Sequence, residues 1–410
     1  MAIDFRDLPA DAVPGSWAAR CLATSRTAAM AGVVAIPVAT ALASTALGVF
    51  VIALVLSGRF AAVARDAFRQ PLGKALLVFF AVILLGTLHG PADWHERWES
   101  VWSWRKLLYA FLLLGLFGPT VWKDRFARTV ALAAVAGGIA SYLAWLGMFP
   151  SRPNHEIGVL FQNHTTQGMF FAAGILFCAQ ISLAARGPWR WFLIAGAVLL
   201  ATNILFVSPG RSAYLVLAAI PAVLGIQHLG MRRVPLVLAA VGVLCVATYG
   251  LSPLVRDRVD LAWEQTINAD RSPILTSVGF RAVVYRNTLE LIRENPVIGY
   301  GTGSFKDVYS PHVARKYPDW RGEPTADPHN QYMLIAMETG LIGLAAFGAV
   351  LFLALRCVRR NTPHAWIAAG VLLGWTLSCL FNSHFRTFPE SHLIALILGA
   401  MLAAPREPSA

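Results

Sequence analysis

Charged residues are scarce in this chain of 410 residues. Aspartate, glutamate, lysine and arginine together make up 14% of it, whereas hydrophobic residues make up 57%. A soluble domain carries about 25% charged residues, so this chain has too few polar groups to cover a surface that faces water. We therefore interpret it as a protein that is surrounded by lipid.

Residues that form disulfide bonds or bind metals are also sparse. The five cysteines are dispersed, without a CxxC pair, which argues against a disulfide framework and against a zinc site. No carboxylates are clustered at a spacing that would hold a divalent ion, and no G-x-S-x-G motif supplies a hydrolase nucleophile. We expect a function that uses no metal and no other cofactor.

The basic residues do not form a patch that would bind nucleic acid. The formal net charge is +12, but lysine and arginine are scattered through short loops between apolar runs. Such a distribution reflects orientation in a membrane. We expect membrane lipids as partners and no nucleic acid.

Apolar runs that are long enough to cross a membrane recur along the chain. About 20 apolar residues are needed to cross about 30 Å of hydrocarbon. Residues 27–58 are too many for one span and are broken by Pro37, so we predict two spans there. Ten more are predicted at residues 72–90, 101–118, 126–148, 166–184, 190–207, 211–228, 234–251, 329–355, 364–381 and 390–404. The predicted fold is an all-α integral membrane protein with about twelve transmembrane helices.

One large loop interrupts this series of spans. We predict a single integrated membrane domain in which residues 1–251 form helices 1 to 9, residues 252–328 form the loop, and residues 329–410 form helices 10 to 12. The loop is predicted to be partly helical, at residues 254–264 and 280–294. Gly299, Gly301 and Gly303 predict a tight turn with an exposed backbone.

The positions of lysine and arginine predict the orientation of the chain. With the N-terminus in the cytoplasm, the short cytoplasmic loops carry the excess of these residues at nearly every hairpin. The N-terminus lacks the basic region of a cleaved signal peptide, so we interpret it as a cytoplasmic tail. Both termini are then cytoplasmic, and the loop of residues 252–328 lies on the outer side.

His329 stands where the loop meets the next apolar run. Pro328 disfavours a helix immediately before it, so we expect the helix to begin at or near His329. A histidine at this boundary could act as a general base that deprotonates an attacking hydroxyl. The alternative is a histidine that merely caps the helix.

Two arginines on the outer side are candidates for binding an anion. Arg211 follows Pro209 and Gly210 at the predicted start of a span, where its guanidinium and the free N–H groups of a first helical turn would both attract negative charge. Arg281 lies one helical turn before Tyr285 on a predicted amphipathic helix. The alternatives are an arginine that reaches lipid phosphates for Arg211 and a solvated helix face for Arg281.

Further polar residues lie on the same predicted rim. Arg105 and Lys106 are directed outward against the general charge bias, and tryptophans flank them. Asn163 and His164 belong to the segment FQNHTTQG. One histidine and several arginines on one side of a membrane suggest a phosphate-containing substrate that is handled without metal, because arginine binds a pyrophosphate bidentately and stabilises it as a leaving group.

Three motifs occur together in the second half of the chain. The first is HNQYMLIAMETGLIG, which fits the pattern H-[NSQ]-x9-G-x-x-[GTY] with His329, Asn330, Gly340 and Gly343 in the defining positions. The second is RSAYL, which begins at Arg211 and fits R-x3-L. The third is GFRAVVYRNTLELIRENPVIGYGTGSF. With these motifs in this order, the chain resembles the bacterial O-antigen ligases of the WaaL type. That family belongs to a larger group with O-antigen polymerases and protein O-oligosaccharyltransferases.

This resemblance implies an inverting, metal-independent glycosyltransferase of the bacterial inner membrane. It would join a polysaccharide from undecaprenyl pyrophosphate to a sugar hydroxyl of lipid A–core at the periplasmic face. By analogy, His329 would activate the acceptor, and Arg211 and Arg281 would hold the donor pyrophosphate. The candidates for a supporting role are Arg105, Lys106, Asn330, Tyr285 and Asn163.

Other functions stay open at this point. A polymerase or a protein O-oligosaccharyltransferase of the same superfamily would use the same chemistry on another acceptor. A transporter of lipid-linked glycans would need basic residues in the middle of its spans, whereas the cations of this chain lie at the predicted rim.

Overall fold

The fold is known from a computed structural model that describes residues 15–150, 155–208, 210–267 and 276–405. Within these ranges every regular element is a helix. The first eleven α-helices are α1 (Trp17–Ala35), α2 (Thr40–Leu56), α3 (Phe60–Arg69), α4 (Pro71–Leu85), α5 (Trp94–Ser103), α6 (Lys106–Leu116), α7 (Thr120–Trp145), α8 (His164–Ala184), α9 (Gly187–Phe206), α10 (Arg211–Leu229) and α11 (Val234–Leu251).

Six further α-helices follow α11. They are α12 (Pro253–Ile267), α13 (Ser277–Glu294), α14 (Phe305–Lys316), α15 (Gln331–Arg356), α16 (Pro363–Ser378) and α17 (Phe388–Leu402). Short 3-10 segments lie at Gly86–Leu88, Met231–Arg233, Trp320–Gly322 and Cys357–Arg360. The predictions of helix at 254–264 and 280–294 are confirmed by α12 and α13.

Several helices are long and apolar enough to cross a membrane by themselves. In the described part of the chain there are seven such stretches: Pro71–Leu88, Thr120–Trp145, His164–Ala184, Gly187–Phe206, Ser212–Leu229, Val234–Leu251 and Gln331–Arg360. Helices α2 and α3 qualify together, but they are bent by 103° at their junction, and α17 is apolar but shorter. An all-helical protein with many apolar helices is thus confirmed, while the number of twelve spans stays a prediction.

The helices differ in how much of their apolar surface the protein itself covers. Most residues of α8, α16 and α17 are buried, whereas Val237 is the buried residue of α11. Apolar side chains that stay exposed on a long helix have lipid as their natural solvent. Helices α8, α16 and α17 therefore form the centre of the bundle, and α11 lies at its periphery.

A second hydrophobic cluster attaches the segment of residues 252–328 to the bundle. Val284 and Leu291 of α13, Phe305, Tyr309 and Val313 of α14, and Leu334 and Met337 of α15 are buried together. The first half of α15 is therefore held between the bundle and this segment.

The glycine turn between α13 and α14 differs from its prediction. Gly299, Gly301 and Gly303 have positive φ angles of 68°, 100° and 86°, so the tight turn is confirmed. Its backbone is packed, however, and the expected exposure is wrong. A Cβ on Gly299 would lie 2.5 Å from the Met337 carbonyl oxygen, and one on Gly301 would lie 2.2 Å from the His89 carbonyl oxygen. Glycine is required here because other backbone atoms occupy the space of a side chain.

This turn is hydrogen-bonded to a break in α15. Gly340 has a φ of 65° and interrupts the helical backbone. The N–H groups of Tyr300 and Gly301 donate to the carbonyls of Met337 and Glu338, both at 2.8 Å. The N–H of Leu341 in turn donates to the Pro296 carbonyl, also at 2.8 Å. The hydrogen bonds that α15 loses at Gly340 are thus replaced by bonds to the turn, as a broken helix buried in a membrane protein requires.

Candidate active site

His329 lies in the turn that precedes α15 and not in the helix. Helix α15 begins at Gln331, and Asn330 caps it: the Asn330 side-chain oxygen accepts from the N–H groups of Tyr332 and Met333 at 3.0 and 3.1 Å. His329 has a φ of 53°, which is uncommon for a residue with a side chain. The alternative in which His329 caps the helix is therefore wrong, because Asn330 makes the capping bonds.

Two neighbours, Asp327 and Tyr285, hold the backbone of His329 in this conformation. The Asp327 carboxylate accepts from the His329 N–H at 2.9 Å and from the Ser383 hydroxyl at 2.5 Å. The Tyr285 hydroxyl donates toward the carbonyls of His329 and Leu380, at 3.0 and 2.9 Å. Burial raises the pKa of Tyr285, so this hydroxyl keeps its proton. A left-handed conformation costs roughly 1–2 kcal/mol, and these bonds offset that cost.

The surroundings of the His329 ring favour its neutral form. Burial lowers the pKa of His329 below its ordinary value, the Asp327 carboxylate opposes this shift, and the Arg281 guanidinium lowers the pKa further. Asp327 Oδ2 lies 3.9 Å from His329 Nδ1, and the side chain of His329 is 37% exposed. A neutral, partly exposed imidazole near pH 7 has the properties that a general base needs.

A cavity of about 780 Å³ lies beside this turn. Its walls come from the N-terminal ends of α8 and α10, from α12 and α13, and from Phe381 and Asn382. Arg258 and Arg281 line it together with His164, and they alternate with apolar side chains such as Leu215 and Trp263. We refer to this space as the cationic cavity, because the charged side chains among its lining residues are arginines.

Two buried polar groups of the cationic cavity have no hydrogen-bond partner among the described residues. They are Nε of Arg281 and the hydroxyl of Tyr214. A buried polar group without a partner is costly and is rare in native proteins. Each of these two side chains thus keeps one polar atom unpaired beside the cavity. The arginines of the lining favour a ligand with negative charge.

The structure brings some of the predicted site residues together. Arg281, Tyr285, His329 and Asn330 are neighbours: Tyr285 and Arg281 line the cationic cavity, and the Asn330 amide donates to the same Leu380 carbonyl as Tyr285, at 3.0 Å. Arg211 is the first residue of α10, but its side chain lies outside the described residues. The next residue, Ser212, lines the cationic cavity.

Arg105 and Lys106 do not line the cationic cavity. Lys106 is fully buried, donates from Nζ to the Phe385 carbonyl, and lies 4.6 Å from the centre of the Trp104 ring. Arg105 donates to the Trp102 carbonyl at 2.7 Å and covers the Trp102 ring. Lys106 thereby fastens α6 to the turn before α17, and the expectation that both cations lie on the outer side of the membrane stays a prediction. A supporting role for either cation stays a prediction.

Asn163 caps a helix at the edge of the cationic cavity. Its side chain accepts from the Thr166 N–H at 2.8 Å at the start of α8. The following residue, His164, lines the cavity and has Nδ1 3.7 Å from a Glu156 oxygen. The asparagine therefore positions His164, and a direct role of Asn163 in binding stays a prediction.

Two comparisons with known proteins bear on this site. Residues 195–348 match the model of the family described as O-antigen ligase. A segment of 67 residues is 37% identical to an O-antigen ligase of Salmonella typhimurium strain LT2, and it covers 15% of this chain and 16% of that relative. Residues 195–348 are therefore similar to the O-antigen ligase family, and the match to the Salmonella relative spans about a sixth of either chain.

The segment that matches the O-antigen ligase family contains most of the site. It begins within α9, ends within α15, and includes Ser212, Arg258, Arg281, Tyr285 and His329. The residues from α8 and the Phe381–Asn382 turn lie outside it. The cationic cavity is thus built largely from the matched segment and closed by α8 on one side and by the Phe381–Asn382 turn on the other.

Arg258 and Tyr214 line the cationic cavity but were not predicted from the sequence. Arg258 was one of many arginines in a charged segment, and nothing in its neighbourhood set it apart. A helical register over 254–264 places Arg258 and Ala262 one turn apart, and both line the cavity. Which face of that helix meets the bundle depends on tertiary packing, so sequence periodicity alone could not select Arg258.

No metal site is found among the described residues. They contain no group of three or more histidine, cysteine, aspartate or glutamate side chains that could hold a metal ion. A metal-independent reaction stays a prediction, which an assay in chelator would test.

Proposed function

We propose that this protein is an O-antigen ligase. It joins a polysaccharide carried on undecaprenyl pyrophosphate to a sugar hydroxyl of lipid A–core. The reaction takes place at the periplasmic face of the bacterial inner membrane, inverts the anomeric centre and uses no metal. The chain crosses the membrane twelve times with both termini in the cytoplasm, and the segment of residues 252–328 lies in the periplasm.

The observation that carries this proposal is the unpartnered Nε of Arg281, whose side chain lines the cationic cavity. Its buried Nε has no acceptor within the described residues, and Arg258 lines the same cavity. A pyrophosphate supplies several anionic oxygens to two arginines, and bidentate guanidinium–phosphate contacts are among the strongest hydrogen bonds in proteins. The apolar part of the wall suits the adjoining lipid of the donor.

His329 takes the role of general base in this proposal. The neutral imidazole accepts the proton of the acceptor hydroxyl at Nε2, because Nδ1 faces Asp327. The hydroxyl oxygen forms a bond to the anomeric carbon as the bond from that carbon to the pyrophosphate oxygen breaks. The electron pair leaves with the pyrophosphate, where Arg281 and Arg258 stabilise the added negative charge. The Asp327 carboxylate stabilises the imidazolium that forms.

The first turn of α10 adds to the binding of the leaving group. Helix α10 begins at Arg211, and Ser212 in that turn lines the cationic cavity. The free N–H groups of a first turn carry partial positive charge and bind phosphate oxygens. In our proposal Arg211 joins Arg281 on the pyrophosphate from this side.

The decisive experiment is a ligation assay with purified protein in proteoliposomes. We expect the wild type to convert lipid-linked polysaccharide and lipid A–core into ligated product, with chelator present. Arg281→Lys should lose about 100-fold in rate, since an ammonium cannot reproduce the bidentate contact. The control Arg315→Lys, at an exposed arginine outside the cavity, should retain the wild-type rate.

Other outcomes of the same assay would reject the proposal. Longer lipid-linked glycan without use of lipid A–core would indicate a polymerase. Movement of lipid-linked glycan across the membrane without any new glycosidic bond would indicate a transporter. Equal losses in Arg281→Lys and Arg315→Lys would indicate general electrostatic attraction instead of a pyrophosphate site.

A further inference from the structure

A second cavity of about 260 Å³ lies on the other side of the turn that carries His329. Its walls come from α5, from the N-terminal end of α14, from Leu334 and Glu338 of α15, and from Ala326 and Arg386. We refer to it as the mixed-charge cavity. Its charged lining residues are Glu96, Glu99, Lys306, Glu338 and Arg386, and Ser100 and Ser103 lie among them.

The charged groups of the mixed-charge cavity are held in place by the fold. Glu338 is only 7% exposed, and the backbone N–H groups of Gly303 and Phe305 face its carboxylate. Lys306 Nζ lies 3.7 Å from a Glu96 oxygen. The Arg386 guanidinium donates to the Ala326 carbonyl. The cavity therefore presents fixed acceptors and fixed donors to whatever enters it.

The chemistry of this lining fits a sugar better than a phosphate or a lipid chain. Three carboxylates against two cations disfavour an anion, and so many charges disfavour an alkyl chain. Each hydroxyl of a sugar both donates and accepts, so a sugar can use carboxylates and guanidinium together. The volume is below the range of about 300–1,000 Å³ that drug-sized ligands occupy, which points to one sugar unit.

The position of α5 connects the mixed-charge cavity to the membrane surface. Trp94, Trp98 and Trp102 are spaced four residues apart on one face of α5 and are 70%, 62% and 57% exposed. Exposed tryptophans in such a row are typical of the interface between lipid and water. The opposite face of α5 carries Glu96, Glu99, Ser100 and Ser103 of the cavity wall. A ligand in this cavity would thus lie beside the lipid headgroups.

The mixed-charge cavity is also tied to the proposed active site. Its wall residue Ala326 directly precedes Asp327, whose carboxylate accepts from the His329 N–H at 2.9 Å. Ser383 and Arg386 belong to one turn. Ser383 donates to the Asp327 carboxylate, and Arg386 donates to the Ala326 carbonyl. The turn that carries His329, with Ala326 at its start, therefore lies between the mixed-charge cavity and the cationic cavity.

We propose that the mixed-charge cavity is a saccharide subsite. It holds one sugar unit of a membrane-anchored glycan, next to the unit that reacts at His329, while the pyrophosphate occupies the cationic cavity. This inference rests on the proposed ligase function. The acceptor and the donor both carry sugars, and the experiment below distinguishes them.

The test compares two variants of α5 with two controls in the ligation assay. Ser103→Phe fills the mixed-charge cavity, and Glu99→Gln removes one charge at a side chain that is 69% exposed and tolerates change. Ser44→Phe on an exposed face of α2 and Glu323→Gln at an exposed position outside the cavity are the matched controls. We expect Ser103→Phe to raise the KM for lipid A–core by about tenfold or more, the effect of losing hydrogen bonds to charged groups. The KM for the lipid-linked donor should stay unchanged.

The outcomes separate the sources of the sugar. A raised KM for the donor instead of the acceptor assigns the subsite to the donor glycan. Acceptors with a progressively shortened core provide a second readout. An acceptor that lacks the sugar unit bound in the mixed-charge cavity should have the same KM with the wild type and with Ser103→Phe. Unchanged KM values for both substrates in Ser103→Phe and Glu99→Gln, as in the controls, would overturn the subsite.

A failure of the ligase proposal would look different. Wild-type protein would then form no ligated product, whatever the state of the mixed-charge cavity. Direct binding of lipid A–core and of the lipid-linked donor to wild type and Ser103→Phe requires no turnover. Weaker binding of either by Ser103→Phe would support the subsite, and equal binding would overturn it. The elution profile and the thermal unfolding of each purified variant check that the variant is folded.

Discussion

At the scale of single residues, His329 combines a proposed chemical role with an unusual backbone. Its φ of 53° is tolerated best by glycine and next by asparagine. Asparagine at this position therefore keeps the backbone and removes the base. We expect His329→Asn and His329→Ala both to lose roughly 10²- to 10⁴-fold in ligation rate, with His329→Asn unfolding at the wild-type temperature.

Two measurements check this pair of variants. One is the single-turnover rate, and the other is the affinity for the lipid-linked donor. Donor binding should stay near the wild-type value, because Arg281 and not His329 contacts the pyrophosphate in our proposal. An active His329→Asn variant would remove the histidine from the chemistry. Its conformation would then matter only for the shape of the turn.

The Asp327 carboxylate gives the reaction a defined pH dependence. A base must be neutral, so the rate should fall as pH decreases through the pKa of His329, which burial places below the ordinary value of about 6.5. The Asp327 carboxylate raises that pKa. In Asp327→Asn the acidic limb should therefore move to lower pH, and the plateau rate should fall because the histidine is a weaker base.

Profiles of kcat against pH for wild type and Asp327→Asn check this shift. Ser383→Ala is the control, since it removes a hydrogen bond to the Asp327 carboxylate and keeps the charge. Its acidic limb should stay close to that of the wild type. A limb that does not move in Asp327→Asn would mean that another group titrates.

At the scale of elements, the break in α15 is the feature that organises the site. A Cβ on Gly340 would lie 2.1 Å from the Val297 carbonyl oxygen, and its φ of 65° excludes an ordinary helical residue. We expect Gly340→Ala to destabilise the protein by several kcal/mol, since both the clash and the strained backbone act against it (about 1–2 kcal/mol for the backbone alone).

Gly348 supplies the matched control for this substitution in the same helix. A Cβ there meets nothing within 4 Å, and its backbone is helical. Gly348→Ala should be neutral or stabilising by up to about 1 kcal/mol. Thermal unfolding of the two variants in detergent measures the difference, and equal melting temperatures would show that the break tolerates a side chain.

The sequence predicted many elements but not the contacts between them. Helices α12 and α13 follow from their periodicity, and α15 begins within two residues of the predicted start. Helix α14 was missed because it is polar and contains Pro311. The burial of Lys106 also escaped prediction, because its partner, the Phe385 carbonyl, is distant in sequence.

The candidate site shows the same limit. Arg281, Tyr285 and His329 were found from short motifs, and the structure brings them together. Arg258, Tyr214 and the mixed-charge cavity depend on which faces of α10, α12 and α5 meet the bundle. Tertiary packing decides which face of a helix meets the bundle. A helix surrounded by lipid lacks the polar outer face from which the buried face is usually recognised in a sequence.

At the scale of the whole molecule, the proposal depends on which side of the membrane each loop occupies. A reporter fused after Arg360 should be cytoplasmic, and one inserted near Asp319 should be periplasmic. Both positions lie in exposed turns that tolerate insertion. Phosphatase and fluorescent reporters active on opposite sides measure this, and a cytoplasmic signal near Asp319 would rule out ligation in the periplasm.

The exchange of hydrogen bonds between the glycine turn and the break in α15 has a consequence for biogenesis. The turn leaves the ribosome about forty residues before Met337, Glu338 and Leu341, which supply its hydrogen-bond partners. The segment of residues 252–328 therefore reaches its final structure only after α15 has been synthesised and inserted. A nascent chain that stops before α15 has neither the turn nor His329 in place, so the candidate site forms only once α15 is present.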